Sequence, residues 1–333
     1  MRIGANPQKS EGLLELKTNH RVVVVTFIPE LTGYYRSMFE VIKLCITSLM
    51  KTLPSTSVIT IVDNASCPEV VAYFVSLYTD KKIDTLQLLS TNVGKIDALM
   101  GAARSAREPI ITLTDCDILF KTSWVEETIS IFNNFKNVGS VSPYPTRRGL
   151  QYYTYALQHA VILNKLKVHF EPIPENFEHY NLFLESINWD KEKDANAPWP
   201  IVKAGNVKAA VGSDHQVLTV RRDILFNDTP AKPSMTKVGK ESERDYVDLA
   251  IDTSGGYRLA TYHYMAHHMG NQVEPWMQEV VDNLIMTSET LALNLTPPLR
   301  YRAKSHFWYK LKKKVAKIAF KHKVPKTYFT ENS

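Results

Sequence analysis

Residues 109–120 read PIITLTDCDILF, a run of apolar and β-branched residues that ends in two carboxylates one residue apart, Asp115 and Asp117. The apolar run reads as a buried parallel strand. In open α/β sheets the ligand crevice lies beyond the carboxyl ends of the strands, so both acids are placed where a rigid support projects side chains into it. Two acidic oxygens at this spacing can hold a hard divalent cation against the diphosphate of a nucleotide. Turn or helix-capping aspartates give the same local pattern, and the neighbourhood decides between the two.

Upstream, strand and helix patterns alternate. Strands are expected at Val22–Ile28, Ser57–Val62, Thr85–Leu89 and Pro109–Thr114, and helices at Phe39–Met50, Glu69–Tyr78 and Lys95–Arg107. Such alternation demands crossover connections, and hence a parallel sheet with helices on its faces. Each strand end carries polar residues. The first ends at Thr26 and runs on to Pro29, the second at Asp63-Asn64-Ala65-Ser66, the third leads into Asn92-Val93-Gly94-Lys95, and the fourth delivers the aspartates. Helix capping explains Ser66 or Asn92 singly, but not four such ends together.

The chain resembles the inverting glycosyltransferases of the GT-A type called family 2, through VVVVTFIPEL (22–31), VITIVDNAS (58–66), NVGKIDALMGAA (92–103) and IITLTDCD (110–117). The resemblance implies an α/β, GT-A-like, mostly parallel sheet with flanking helices and a nucleotide-diphosphate-sugar donor. It implies that Asp63 would bond the nucleobase, Lys95 would lie beside the nucleotide, Asp115 would face the ribose and Asp117 would ligate Mn²⁺ or Mg²⁺. Thr26, Pro29 and Asn92 complete the donor-contact candidates, and Ile28 stands where many relatives carry Asn. Independently of the family, a carboxylate such as Asp63 can accept from a base imide N–H, which a uracil edge presents, so UDP is favoured. Lys95 could add a point charge toward a phosphate, or be a solvated first-turn lysine.

A second acidic cluster lies in KVGKESERDYVDLAIDTSGGYRLATYHYMAHHMGN (237–271). Acids in a first helical turn are favoured by the helix dipole, so most of them need no function. In the resembling family a Glu-Asp pair at this helix start includes the base that takes the proton from the acceptor hydroxyl. Counting back from Gly256-Tyr257-Arg258 places it at Asp245, with Arg244 in place of the usual Glu and with Glu243 and Asp248 as neighbouring registers. The implied mechanism is a single displacement with inversion. His263 and His267 are four apart, yet the segment reads as a strand and no Glu or Cys completes a zinc spacing. The resemblance instead assigns a metal-ligating histidine to His268, with His267 as the alternate, and an imidazole ligand favours Mn²⁺ over Mg²⁺. Residues 150–200 are rich in aromatics and are the expected acceptor region, and Trp199 and Asp214, in WPIVKAGNVKAAVGSDHQVL (199–218), are the first residues to mutate.

The expected organisation is an N-terminal extension over 1–20, a glycosyltransferase domain over 21–275 split at residue 120 into nucleotide-binding and acceptor halves, and a basic helical extension over 276–333. Of the net charge of +6, residues 301–333 hold ten basic residues against Glu331 alone, while the remainder carries 30 basic and 33 acidic residues. Phe307, Trp308, Leu311, Val315, Ile318 and Ala319 share one helical face, with Lys310, Lys314, Lys317 and Lys321 on the other. That is the pattern of a helix lying on an anionic membrane, or of a terminal helix docking its apolar stripe on the domain. Without a signal run or a span-length apolar stretch, and with three cysteines, the expected setting is cytoplasmic, extending to the inner face of the plasma membrane. The acceptor would be a hydroxyl, including that of a lipid-linked glycan, in cell-surface polysaccharide or glycolipid synthesis. A nucleic-acid partner is disfavoured by the acidic body. The phosphate-loop glycines and the Gly-x-Gly-x-x-Gly turn are both missing. A nucleotidyltransferase, or a nucleotide-sugar or membrane-binding scaffold without catalysis, is the alternative.

Overall fold

The computed structural model describes residues 3–287, 292–295 and 306–321, with Val324 and Tyr328. Among the described residues there are twelve strands: β1 His20–Thr26, β2 Ser57–Asp63, β3 Thr85–Leu88, β4 Ile110–Thr114, β5 Ile118–Phe120, β6 Val138–Ser142, β7 Val168–Pro172, β8 Pro198–Ala204, β9 Val207–Val211, β10 Val217–Arg221, β11 Tyr257–Thr261 and β12 Ala266–His268. Ten of them build one sheet in the order β3-β2-β1-β4-β10-β6-β11-β9-β8-β7, and β12 pairs with β5 in a small second sheet.

The first four sheet strands are parallel, as the alternating pattern requires. Val22 to Val25 are buried on both faces of β1, which explains why this strand is a continuous apolar run rather than an alternating one. One face packs the helix Met38–Thr52 through Val41, Ile42, Cys45, Ile46 and Leu49, and the other packs the helix Lys95–Ser105. The first strand ends two residues earlier than the apolar run suggests. Ile28 is buried as part of the turn instead, its N–H donating to Ser66 Oγ and its carbonyl accepting from Cys67 N.

The second half of the sheet is mixed. β10 runs antiparallel between β4 and β6, and β8 and β9 form a hairpin closed at Gly205-Asn206, where Gly205 takes φ +56°. Because β10 is antiparallel, its first residue Val217 sits beside Thr114 at the carboxyl end of β4. The loop 212–216 therefore faces the same crevice as Asp115 and Asp117. β6 and β11 run parallel to one another, so the segment after β11, which carries His268, also leaves on that side.

At the opposite end of the strands, the buried Arg21 guanidinium spans Glu108 at 2.8 and 2.9 Å and Asp84 at 2.7 Å, tying β1, β3 and β4 together. His20 bridges Ser57 Oγ and Thr112 Oγ1 in the same region, and burial drives its imidazole pKa down to about 3. No helix among the described residues is long and apolar enough to cross a membrane.

The C-terminal helix, His306–Lys321, packs on the helix Tyr155–Ile162. It does so through Tyr309, Ala316 and Phe320, which are buried, and not through the apolar stripe picked out in the sequence. Residues 301–305 and all of 322–333 except Val324 and Tyr328 lie outside the described residues.

Candidate active site

Three strand ends converge on one polar crevice. At the end of β2, Asp63 Oδ2 accepts from Ser66 N three residues on at 3.1 Å, holding the turn, while Oδ1 is buried without a hydrogen-bond partner among the described residues. Thr26, one strand over, also buries its Oγ1 without a partner, whereas Pro29 is exposed. Orphaned buried acceptors are rare, and at a strand end in a crevice they mark a place for a ligand donor.

Asn92 is explained by the loop it holds. Its Oδ1 accepts from Asn64 Nδ2 and Gly94 N, and Asn64 Oδ1 in turn accepts from Val93 N, so the two amides lace β2 to the start of the next helix. Gly94 takes φ +99°, and a Cβ there would lie 2.2 Å from the Thr236 carbonyl oxygen. This close approach lets Lys95 N donate to Lys237 O and brings segment 236–243 against the crevice.

Lys95 is not a solvated first-turn lysine. Its Nζ lies 2.7 Å from Asp115 Oδ1 and 3.7 Å from Glu243 Oε1. Burial opposes its charge, but Asp115 and Glu243 outweigh that and hold the ammonium above its ordinary pKa. Asp115 is further fixed by its own N–H, which donates to Gln216 O. Burial and the neighbouring Asp117 push the Asp115 carboxyl up, against the pull of Lys95.

Asp117 sits 3.3 Å from His268, Oδ2 to Nε2, and its Oδ1 is buried and unpartnered among the described residues. Burial resists its ionisation, yet His268 and Lys95 overcome that and keep the carboxyl below its usual value. The pairing follows from backbone register: His268 lies opposite Ile118 in the β12–β5 ladder, and Met269 N donates to Asp117 O. His268 Nδ1 shares a hydrogen bond with Ser186 Oγ at 2.8 Å, the outer partner that orients a ligating imidazole. His267 points to the opposite face, buried among His179, Tyr264 and Trp276, and burial lowers its pKa to about 3. Of the two histidines, His268 is the one at the crevice.

The residues present suit a divalent cation. Asp117 offers an orphaned charged oxygen and His268 an oriented nitrogen. Among the described residues no group of three or more His, Cys, Asp or Glu side chains that could hold a metal occurs.

The acidic segment folds as a single π-helical turn, Arg244–Asp248, running into the helix Leu249–Thr253. A π turn takes up one extra residue, which is why counting along the sequence blurs the register here. Asp245 is part-exposed, with Oδ1 accepting from Arg244 Nε at 2.8 Å. Glu243 is buried beside Lys95. Asp248 is fully buried, bridging Arg258 at 2.7 Å and His215 at 3.2 Å. Trp199 is a core residue packed edge-on against Tyr180, and Asp214 closes its own turn by accepting from Gln216 N.

One residue here escaped sequence reasoning and another was named only as a neighbouring register. Glu243, the residue that precedes the π turn, lies beside Lys95. Tyr34 lies near enough to Asp117 that burial and that charge raise its phenol pKa, and its backbone carbonyl accepts from Asn271 Nδ2, so the chain after β1 crosses to the β12 side. The Gly33-Tyr34-Tyr35 turn was the available signal.

The sheet presents at its strand ends a buried Asp, a Lys–Asp pair and an Asp–His pair, the arrangement that the family resemblance implies. Residues 32–190 match the family model described as Glycosyl transferase family 2. Over that segment, just under half of the chain, the sequence is similar to family 2 glycosyltransferases. The matched segment holds Asp63, Asn92, Lys95, Asp115 and Asp117, and lies between Thr26 and Pro29 on one side and Asp245 and His268 on the other. No curated protein matches the chain by sequence. Among solved structures, GalNAc-T7 with UDP, GalNAc and Mn²⁺ is 13% identical over 76% of this chain and 44% of that one, with a TM-score of 0.45. The mannosyltransferase PcManGT from Pyrobaculum calidifontis, in complex with GDP-Man and Mn²⁺, is 15% identical over 92% of this chain and 64% of that one, with a TM-score of 0.40. TarS 1-349 of S. aureus in complex with UDP is 13% identical over 79% and 63%, with a TM-score of 0.43. The chain spans less than two thirds of the length of each of these structures.

Proposed function

We propose that this protein is a metal-dependent inverting glycosyltransferase that moves one sugar from a nucleoside-diphosphate sugar, UDP favoured, to a hydroxyl acceptor. The observation that carries the reading is the pair of buried carboxylate oxygens, Asp63 Oδ1 and Asp117 Oδ1, left without partners among the described residues at the end of β2 and beyond the end of β4, the two strands that flank β1. Between them stands the Lys95–Asp115 ion pair. Asp63 would accept the imide N–H of the base, and Thr26, Pro29 and Asn92 would border the same subsite. Asp115 would face the ribose, with Lys95 held beside the phosphates. Asp117 and His268 would hold Mn²⁺ in preference to Mg²⁺. The cation would supply Lewis-acid stabilisation of the departing diphosphate.

Asp245 is the proposed base, since its carboxylate is open to an incoming acceptor. It would take the hydroxyl proton as that oxygen attacks the anomeric carbon, in one displacement with inversion and no covalent intermediate. Glu243 competes for the role, because it is the acid of this turn that reaches Lys95. Lipid-linked glycans and polysaccharide ends are the acceptor classes to screen first. Incubating the protein with UDP- and GDP-sugars and an acceptor panel, with Mn²⁺ or with EDTA, tests the reading. Transfer only with metal, giving product of inverted anomeric configuration, is expected. Retained configuration, or transfer undiminished by EDTA, would overturn it.

A further inference from the structure

The C-terminal helix has two opposed faces. Tyr309, Ala316 and Phe320 turn inward, and Tyr309 Oη donates to the buried Asp252 carboxylate at 2.7 Å. Lys313 lies over the rings of Tyr153 and Tyr155 at 4.7 and 4.9 Å. The helix is thus held to the domain by a specific polar contact and by packing. At 100° per residue, Phe307, Leu311, Val315 and Ile318 fall together on the far side. They are 69%, 43%, 53% and 62% exposed, and Trp308, at 50%, adjoins them.

A water-facing apolar row this long is unusual on a soluble surface unless something covers it. The charge around it names the cover. The helix carries six lysines and no acid, and Lys310, Lys314 and Lys317 are exposed along one border of the row. The neighbouring helix Tyr155–Ile162 is followed by the exposed Leu163 and Lys165. His159 between them has its pKa lowered by burial, by Lys312 and by Lys165, which places these cations close together. A protein groove would have to match both a hydrophobic ridge and concentrated positive charge. An anionic lipid surface supplies both in one layer, acyl chains under negative headgroups.

We propose that the exposed row Phe307, Leu311, Val315 and Ile318, bordered by Lys310, Lys314 and Lys317, seats the protein on an anionic membrane surface while the opposite face of the helix stays docked on the catalytic domain. Docking and membrane contact are then two faces of one helix and not alternatives. The domain would ride at a fixed orientation rather than on a loose tether.

Co-sedimentation of the full chain with vesicles of phosphatidylcholine, with or without phosphatidylglycerol, tests this. Binding is expected with phosphatidylglycerol, weakening as salt rises. The triple variant Lys310→Gln, Lys314→Gln, Lys317→Gln should lose roughly a hundredfold in affinity. Leu311→Ser, Val315→Ser, Ile318→Ser should lower binding even at low salt. All six positions are exposed, so both variants should keep the parent melting temperature. Equal binding to neutral vesicles, no binding at all, or unchanged binding by both triple variants would each overturn the proposal. So would a concentration-dependent dimer that only the apolar variant abolishes, because the row would then belong to a second copy of this chain.

Discussion

Asp63 does two jobs with two oxygens, and the separation can be tested. Oδ2 accepts from Ser66 N to hold the turn, and an asparagine can do the same, while Oδ1 is the orphan acceptor among the described residues. Asp63→Asn should therefore leave the melting temperature near the parent value yet weaken nucleoside diphosphate binding by roughly 10- to 100-fold, the effect of losing one charged hydrogen bond. Unchanged binding would place the base elsewhere. At the acidic turn, Asp245→Asn is expected to remove transfer with donor affinity kept. Loss of transfer in Glu243→Gln, with Asp245→Asn active, would move the base to the residue beside Lys95. Asp115 and Asp117 were legible in the sequence because a strand end fixes where consecutive side chains point. Tyr34 was not, because its place depends on a loop crossing between sheets, and Glu243 was legible only as a neighbouring register, its contact with Lys95 being a long-range one.

Among the elements, the parallel half was readable from apolar runs and helical spacing, since β1, β2 and β4 are each flanked by crossover helices. The antiparallel half was harder: β10 inserts between β4 and β6 by long-range pairing that no local pattern encodes. The Arg21–Glu108 pair sits where the parallel strands begin. Glu108→Gln leaves a buried guanidinium short of its counter-charge and should destabilise the fold by about 3–5 kcal/mol in urea unfolding. Burial opposes the Glu108 charge, but Arg21 holds its carboxyl down at about 2, below its ordinary 4.5. That contribution is present above pH 4.5 and is lost as pH falls toward 2.

Asp252 behaves oppositely. Burial raises its pKa from 3.8 to about 6 despite bonds from Ala156 N and Tyr309 Oη. The folded state favours its protonated form, so stability falls as pH rises from about 4 to about 6, by up to about 3 kcal/mol. Asp252→Asn should flatten that segment of the stability–pH curve, and an unchanged slope would show that another group titrates there.

At the scale of the whole molecule, charge and chemistry are segregated. The crevice gathers buried acids around one lysine, while the basic excess lies in residues 301–333. The amphipathic period of the tail was legible in the sequence, but which face meets the domain was not, because Tyr309 and Ala316 are chosen by their fit to the helix beneath. Truncation before residue 301 should uncover Asp252 and Tyr155 and lower the melting temperature by several degrees, while the crevice still binds nucleotide. Full unfolding on truncation would mean that the docked face is required for the domain to form.

The central claim is that the crevice is a metal-assisted donor site. Calorimetric titration of UDP and GDP into the full chain, with and without Mn²⁺, reads it directly, with Asp117→Ala alongside. The account predicts tight binding of one nucleotide, UDP before GDP, that needs Mn²⁺ and disappears in Asp117→Ala. Binding that ignores both the metal and Asp117, or no binding under any of these conditions, would contradict it.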